Sequence, residues 1–514
     1  MQTVDTEDQE LVAEGPRFWT RETLSQAVDH FLAGRHLIVV SNREPYLHRF
    51  EGDDIVCERP VGGMVTALDP VMRVCGGSWV AHGSGSADPE TADAEGRLGV
   101  PPLHPAYTLR RLWLNKRDEE DYYNGFANQA LWPLCHIVYE RPTFRAQDWQ
   151  AYQRVNGQFA AAVLDEAADR DAIVLIQDYH LALLPQRLRE ARPEMLIGQF
   201  WHIPWPNREA FRICPWAREI VEGLLANDLL GFHIRYHCQN FLDAVAATTE
   251  AQVDQEAATV VRGGHRTRVW PFPISVDIDE IATQAMSDDI SARMQRWRQQ
   301  LGLAHQRVIL GVDRIDYTKG IPERMRAIDE LLSAHPEYLG KIRFVQIGAP
   351  SRTRIARYQK LASEIESMVE NINWKHAQGR WMPIIYREAP HSREELLALY
   401  RLADVCVVTP LHDGMNLVAK EYVSARADGD GVLVLSTFAG AARELEQSLQ
   451  INPYAIDETA AAVHQALTMD EAERRARMAA LRDTVARNNI FRWAGKIVSH
   501  LGRLAAQRHL EPAA

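Results

Sequence analysis

The sequence predicts an α/β protein built from two doubly wound parallel sheets, and three features carry that prediction. Short runs rich in Val, Ile and Leu alternate with helix-length amphipathic stretches from His36 to about residue 248, the pattern of βαβ units that wind into a right-handed parallel sheet. Residues 259–272 interrupt the alternation with a Gly263-Gly264 hairpin signal. From Val308 the alternation begins again. Two Rossmann-like halves with a cleft between them are expected, and 514 residues suffice for two substantial cores.

Residues 1–35 are polar and acidic, then weakly helical from Glu22 to Leu32, and are read as an N-terminal extension. His36–Ser41 (HLIVVS) is the first strand and ends in Asn42-Arg43-Glu44-Pro45. A loop is expected to Pro60. Val61-Gly62-Gly63-Met64 then opens a helix to about Val74, a strand–glycine–helix succession that can cradle phosphate although it lacks the full GxGxxG fingerprint. Strands follow at 78–81 and 107–114, then an aromatic helix over 121–133 and a helix over 149–168. Ala172–Gln177 (AIVLIQ) is a buried strand ending in Asp178-Tyr179-His180. Leu196–Trp201 is another, ending in His202-Ile203-Pro204-Trp205-Pro206. Helices over 181–192, 216–227 and 235–248 and a strand at 229–233 complete the first half.

The second half opens with Val308–Val312, cut off by Asp313 and Arg314. A helix starts at Gly320-Ile321-Pro322-Glu323, where the missing proline N–H costs nothing and the acid suits the positive helix end. Strands are expected at 343–348, 383–388, 405–409 and 431–436. Helices are expected at 321–335, 353–373, 392–403, 416–426, 440–447, 458–486 and 490–506. This gives an extension over 1–35, a first Rossmann-like domain over 36–280 and a second over 281–486. The closing segment 487–514 is free to pack back on the N-terminal domain.

Composition narrows the function. With 46% hydrophobic and 25% charged residues the chain is globular, and a net charge of −12 argues against nucleic acid or an anionic membrane as the main partner. The six cysteines lack CxxC spacing, so neither a disulfide framework nor a zinc site is indicated. No leader pattern and no apolar run of ~18 residues is evident, and a cytoplasmic location is expected. A homo-oligomer is left open.

Arg314 and Lys319 stand at the carboxyl edge of a strand beside a helix N-terminus, where open α/β sheets bind anions. Thr409–Glu421 (TPLHDGMNLVAKE) repeats the theme. Gly414 allows the backbone N–H groups of Met415, Asn416 and Leu417 to approach a ligand, Asp413 can accept from sugar hydroxyls, and Glu421 falls on the same helix face to grip a ribose. Taken singly, each is an ordinary solvated charge or helix cap. Together they fit a nucleotide-sugar donor, with fixed cations stabilising the departing diphosphate where other enzymes use a metal. Metal-independent transfer with no cofactor is expected.

Nine motifs then occur in order: SNR at 41–43, VGG at 61–63, DYYNxFxNxxLWP at 121–133, QDYHLxLLP at 177–185, HIPWP at 202–206, DRIDYTKGIPER at 313–324, PSR at 350–352, TPLHDGMNLVAKEY at 409–422 and LSTFAGAARE at 435–444. Across residues 36–505 the chain resembles the retaining α,α-trehalose-6-phosphate synthase family. That resemblance implies the two-domain GT-B architecture and transfer of glucose from a nucleotide-glucose, with UDP-glucose the expected donor, to glucose 6-phosphate. It assigns Arg314 and Lys319 to the donor diphosphate, Asp413 to the donor glucose and Glu421 to the ribose. Gly62 and Gly63 fall in the glycine loop, and His202 is placed against the donor sugar. Asp178 and Trp132 would position the acceptor sugar, and Arg43, Tyr123 and Arg352 its phosphate, with Tyr123 preferred to Tyr122. A dianionic phosphate wants guanidinium forks and a phenol donor. The resemblance further suggests front-face transfer, the leaving oxygen helping to deprotonate the incoming hydroxyl, with Asp178 as a nucleophile the lesser alternative.

Two alternatives stay open. Arg43-Glu44-Pro45-Tyr46 looks somewhat like glucosylglycerol-phosphate synthase, which uses glycerol 3-phosphate, but intact YYN and PSR motifs favour the sugar phosphate. A catalytically silent sugar-phosphate sensor would have lost Arg314, Lys319, Asp413 or Glu421, and all four are present. A nicotinamide dehydrogenase lacks its glycine fingerprint. His412, where many synthases carry Arg, leaves the donor base unsettled.

Overall fold

A computed structural model describes residues 18–60, 63–303 and 305–510. The chain divides into two compact units, one comprising residues up to Ile274 together with those from Ile490 on, the other Ser275–Asn489. The described part of the N-terminal stretch is not a loose extension. Thr20 caps the helix Arg21–Leu32 through a reciprocal bond with Thr23, and this helix packs on the closing helix Ile490–Leu510. Phe31 lies against Gly502, where a Cβ would stand 2.7 Å from the Phe31 carbonyl.

The first unit holds twelve strands among its described residues: β1 His36–Arg43, β2 Leu47–Glu51, β3 Asp54–Glu58, β4 Ser78–His82, β5 Arg97–Val100, β6 Tyr107–Leu112, β7 Ala172–Gln177, β8 Leu196–Phe200, β9 Leu229–Phe232, β10 Gln252–Asp254, β11 Thr259–Arg262 and β12 His265–Pro271. Ten of them form one sheet in the order β10-β11-β12-β9-β8-β7-β1-β4-β6-β5. The pairs from β12 to β6 are parallel, and antiparallel strands close both edges. β7 is buried at every position, as a strand covered on both faces must be. Removing the side chain of Ile176, which has no exposure, would cost about 2–5 kcal/mol.

The second unit has a six-stranded parallel sheet, β13 Arg307–Arg314, β14 Ile342–Ala349, β15 Ile384–Arg387, β16 Val405–Val408, β17 Val432–Ser436 and β18 Leu449–Ile451, in the order β15-β14-β13-β16-β17-β18. In both sheets the strand order reverses beside the first strand, between β1 and β7 and between β13 and β16. That switch point is where open α/β sheets bind ligands.

Several local expectations are corrected. The loop expected after Pro45 holds the β2–β3 hairpin, whose polar sequence hides the alternation. Helices Ile278–Ala285 and Asp288–Gln300 precede β13, capped by Asp277 and Ser287. The expected helix over 440–447 is a single tight turn, Gly440–Arg443. The helical stretch 458–486 is broken after Thr468, because Asp470 caps a new helix by accepting from the Glu473 N–H at 2.9 Å. The aromatic segment is a π-helix, Glu120–Leu131, rather than an α-helix. Its wider turns are bridged by side-chain amides: Asn128 donates to the Tyr123 carbonyl and Gln129 to that of Asn124. No described helix is long and apolar enough to cross a membrane.

Candidate active site

At the switch point of the second unit, β13 ends in Arg314 and a tight turn, Tyr317–Lys319, leads to the helix Ile321–Ala334. Gly320 joins them at φ +62°, and a Cβ there would stand 2.1 Å from the Thr409 carbonyl oxygen. Only glycine lets this turn press against the end of β16. The Leu411 N–H donates to the Thr318 carbonyl at 2.7 Å, so the two motif loops share a backbone bond. That contact brings Lys319 Nζ to 2.5 Å from Asp413 Oδ2, although the residues are 94 apart in sequence. Asn416, at φ +74°, caps the helix Leu417–Ala425 and turns its amide onto the same Asp413 oxygen at 3.1 Å. The helix thus begins at Leu417, one residue beyond the expected start at 416.

Glu421 lies on that helix and accepts from the Tyr400 hydroxyl at 3.1 Å. Burial raises its carboxyl above the ordinary range. Beneath the loops Arg324 is wholly buried and donates to Asp313, Gln346 and Thr409 at 2.7, 2.8 and 3.0 Å. Leaving one member of such a buried pair alone costs about 3–5 kcal/mol. The loop from β17 backs the site: the Asp413 N–H donates to the Phe438 carbonyl at 3.1 Å, and the Ala441 N–H to that of Met415 at 2.9 Å.

Sequence reasoning missed the keystone of this unit, Asp316. It is fully buried, caps Thr318, and takes Arg352 Nη1 on Oδ2 at 2.7 Å. Burial alone would raise its carboxyl, but Arg352, Arg314 and Lys319 together hold it at about 2. The cations assigned separately to donor and acceptor are therefore tied to one carboxylate. The signal was present inside DRIDYTK, as an acid between two cations, but it reads equally well as a turn cap.

In the first unit the switch point lies between the ends of β1 and β7. Arg43, the last residue of β1, donates through Nη2 to the Tyr123 hydroxyl at 3.1 Å. Tyr122 is buried and donates to Asn42 instead. The π-helix thus points consecutive tyrosines at consecutive strand residues. Trp132, at the π-to-α junction, packs on His136 and Tyr179, with ring centroids 4.1 and 5.8 Å away.

Asp178 follows β7 at φ +72°, ψ 174°. Its carboxylate Oδ1 accepts from the backbone N–H groups of Tyr179 and His202, at 2.9 and 3.2 Å. Asp178, Arg352 and Asn416 are three of the eight non-glycine residues with positive φ among the described residues. Such conformations cost roughly 1–3 kcal/mol each and gather at functional sites. His202 Nε2 meets Gln177 Oε1 at 2.8 Å. Burial, with His180 adding to it, lowers the imidazole to about 3, so the ring is neutral.

The structure brings Lys319, Asp413 and Asn416 together, gathers Arg314 and Arg352 around Asp316, and joins Arg43 to Tyr123 and Asp178 to His202. Arg352 belongs to the second unit, and Arg43 and Tyr123 to the first. Gly63 opens the helix Gly63–Cys75, and Gly62 lies outside the described residues. His412 is half-buried in the Asp413 turn.

A trehalose-6-phosphate synthase of Mycobacterium avium (strain 104) is 41% identical over 472 residues, covering 90% of this chain and 94% of that protein. The E. coli protein solved with UDP-2-fluoro glucose superposes with a TM-score of 0.81 at 35% identity, covering 91% and 99% of the two chains. The α,α-trehalose-phosphate synthase (UDP-forming) of Burkholderia xenovorans, solved in complex with glucose-6-phosphate, gives 0.81 at 34%, covering 91% and 100%. The profile of glycosyltransferase family 20 matches residues 35–503. With GT-B neighbours in structure and that match spanning both sheets, this chain belongs to glycosyltransferase family 20.

Proposed function

We propose that this enzyme transfers glucose, with retention of anomeric configuration, from UDP-glucose to glucose 6-phosphate, giving α,α-trehalose 6-phosphate and UDP. The carrying observation is the contact of Lys319 with Asp413, which unites a phosphate-binding cation and a sugar-binding acid at one switch point. Arg314 and Lys319 take up the charge that grows on the diphosphate as the glycosidic bond breaks. They are held in place beforehand by Asp316 and Asp413, so little reorganisation accompanies the step. The N–H groups of Met415, Asn416 and Leu417 face the phosphates, Asp413 accepts from the glucose hydroxyls, and Glu421 holds the ribose.

In the first unit Arg43 and Tyr123 supply a guanidinium and a phenol to the acceptor phosphate, joined in that role by Arg352, while Trp132 and Asp178 position the acceptor ring. The two backbone N–H bonds on the Asp178 carboxylate suit it to accept a hydrogen bond from a sugar hydroxyl. They lower its nucleophilicity, which favours front-face transfer over a glycosyl-aspartate. Exclusion of water from the bound donor would protect it from hydrolysis.

Crossing UDP-, ADP- and GDP-glucose with glucose 6-phosphate and glycerol 3-phosphate, and following nucleotide release, tests the reading. Turnover with UDP-glucose and glucose 6-phosphate is expected. Faster turnover with glycerol 3-phosphate would replace the acceptor by that of glucosylglycerol-phosphate synthase, and preference for another base would replace the donor. The enzyme is expected to work in the cytoplasm.

A further inference from the structure

Among the described residues one side chain hydrogen-bonds to the His202 ring, and it carries no charge. Gln177 is the last residue of β7, wholly buried, and its amide lies 2.8 Å from Nε2. Burial and the neighbouring His180 disfavour the charged ring, and among the described residues no other packed group adds a charge to it. Phe200 meets it edge-on at 4.7 Å. His233 lies 5.7 Å away and spends Nε2 on the His202 carbonyl. Asp178 accepts from the His202 backbone, not from the ring, and lies 3.9 Å from His180. Among the described residues no carboxylate forms a hydrogen bond or ion pair with the imidazole. A carboxylate in that place would favour the imidazolium, whereas an amide anchors the ring without favouring either charge.

The chemistry makes the distinction matter. When a glycosidic bond to a phosphate breaks, positive charge develops at the anomeric carbon and ring oxygen of the sugar. An imidazolium against that sugar would oppose the charge, and a neutral imidazole would not. We propose that Gln177 is a positioning residue for glucosyl transfer: its uncharged amide anchors Nε2 of His202 without drawing a proton onto the buried ring, leaving Nδ1 for the donor sugar. This rests on the reading of His202 as a donor-sugar contact. It adds that the choice of an amide at position 177 sets the low-pH limit of the reaction.

Two variants and one spectroscopic measurement test it. Gln177→Glu keeps the shape and adds a charge. The acid limb of its kcat profile, followed between pH 3.5 and 8.5, is expected to move up by about 1–3 pH units, as for a carboxylate beside a titrating group. Gln177→Met removes the anchor without adding charge, and should raise the donor KM while leaving the acid limb where it is in the wild type. Nitrogen-15 shifts of His202 in the unliganded wild type should report a neutral ring from pH 6 to 8. A Gln177→Glu profile parallel to the wild type, or an imidazolium in the wild type at pH 7, would overturn the proposal. The spectroscopic reading needs no turnover, so it stands apart from any failure of the substrate assignment.

Discussion

The same topological position is furnished in opposite ways in the two units. At the β13/β16 switch point the site is made of charge: Arg314, Lys319 and Arg352 are gathered by Asp316 and Asp413, with the buried Arg324–Asp313 pair beneath. At the β1/β7 switch point Arg43 and Asp178 stand beside a neutral imidazole, paired tyrosines on a π-helix and backbone N–H groups. A fold element fixes where a ligand sits, and side chains fix what charge it meets. A departing diphosphate needs fixed cations, whereas sugar rings need hydrogen-bond geometry.

The comparison breaks most visibly if the charges in the second unit are dispensable. Arg314→Ala combined with Lys319→Ala should lower kcat by about 10³ or more. A steady-state rate within tenfold of the wild type, or activity abolished by a chelator, would end the account of fixed cations doing this work. Asp316→Asn should come next, because it loosens the cations proposed to serve both substrates. The kcat/KM for donor and for acceptor should each fall roughly 10- to 100-fold, as expected for loss of a charge-assisted hydrogen bond worth about 1.5–3 kcal/mol.

Arg43→Ala should act on one side only, raising the acceptor KM about tenfold or more by the same reasoning while the donor KM stays within about twofold. Arg352→Ala sharpens the contrast. A larger effect on the acceptor KM than on the donor KM is expected from its assigned role, and equal effects would move Arg352 into the donor set beside Asp316.

The smallest effect concerns stability. His36, His48, His82, His202, His265 and His500, all in the first unit, are lowered by burial, His202 and His500 to about 3. For these groups the unfolded chain binds more protons than the native one below their ordinary value of 6.5. The histidines therefore take stability from this unit as pH falls from 6.5 toward 3, against the opposite contribution of buried Glu44, whose carboxyl is raised to about 8. Asp316 acts in another window: held at about 2 against 3.8, it contributes stability above 3.8 that is lost as pH falls through 2. Hydrogen exchange at pH 7.5 and 5.0 should show protection lost first in β7 and β8, with β13 and β16 retained.

Much of this was legible in one dimension. Buried parallel strands such as AIVLIQ announce themselves because burial on both faces demands a continuous apolar run, and polar residues just past such runs fall at the sheet's carboxyl edge. Arg314 and Asp413 become candidates that way, whereas Arg43 and Asp178 enter through the family resemblance. The β2–β3 hairpin was hidden because its polar residues carry no clear period, and the break after Thr468 because one capping aspartate looks like any other helix residue.

What the sequence determined by itself is the succession of strands and helices and the motif residues placed at their ends, since periodicity and capping are properties of neighbours along the chain. What only the tertiary structure decided is partnership: Lys319 with Asp413, Arg352 with Asp316, His202 with Gln177, and the closing helix with the first. Hydrogen bonds and ion pairs act over a few ångströms. Sheet register, not distance along the chain, determines which charges come that close.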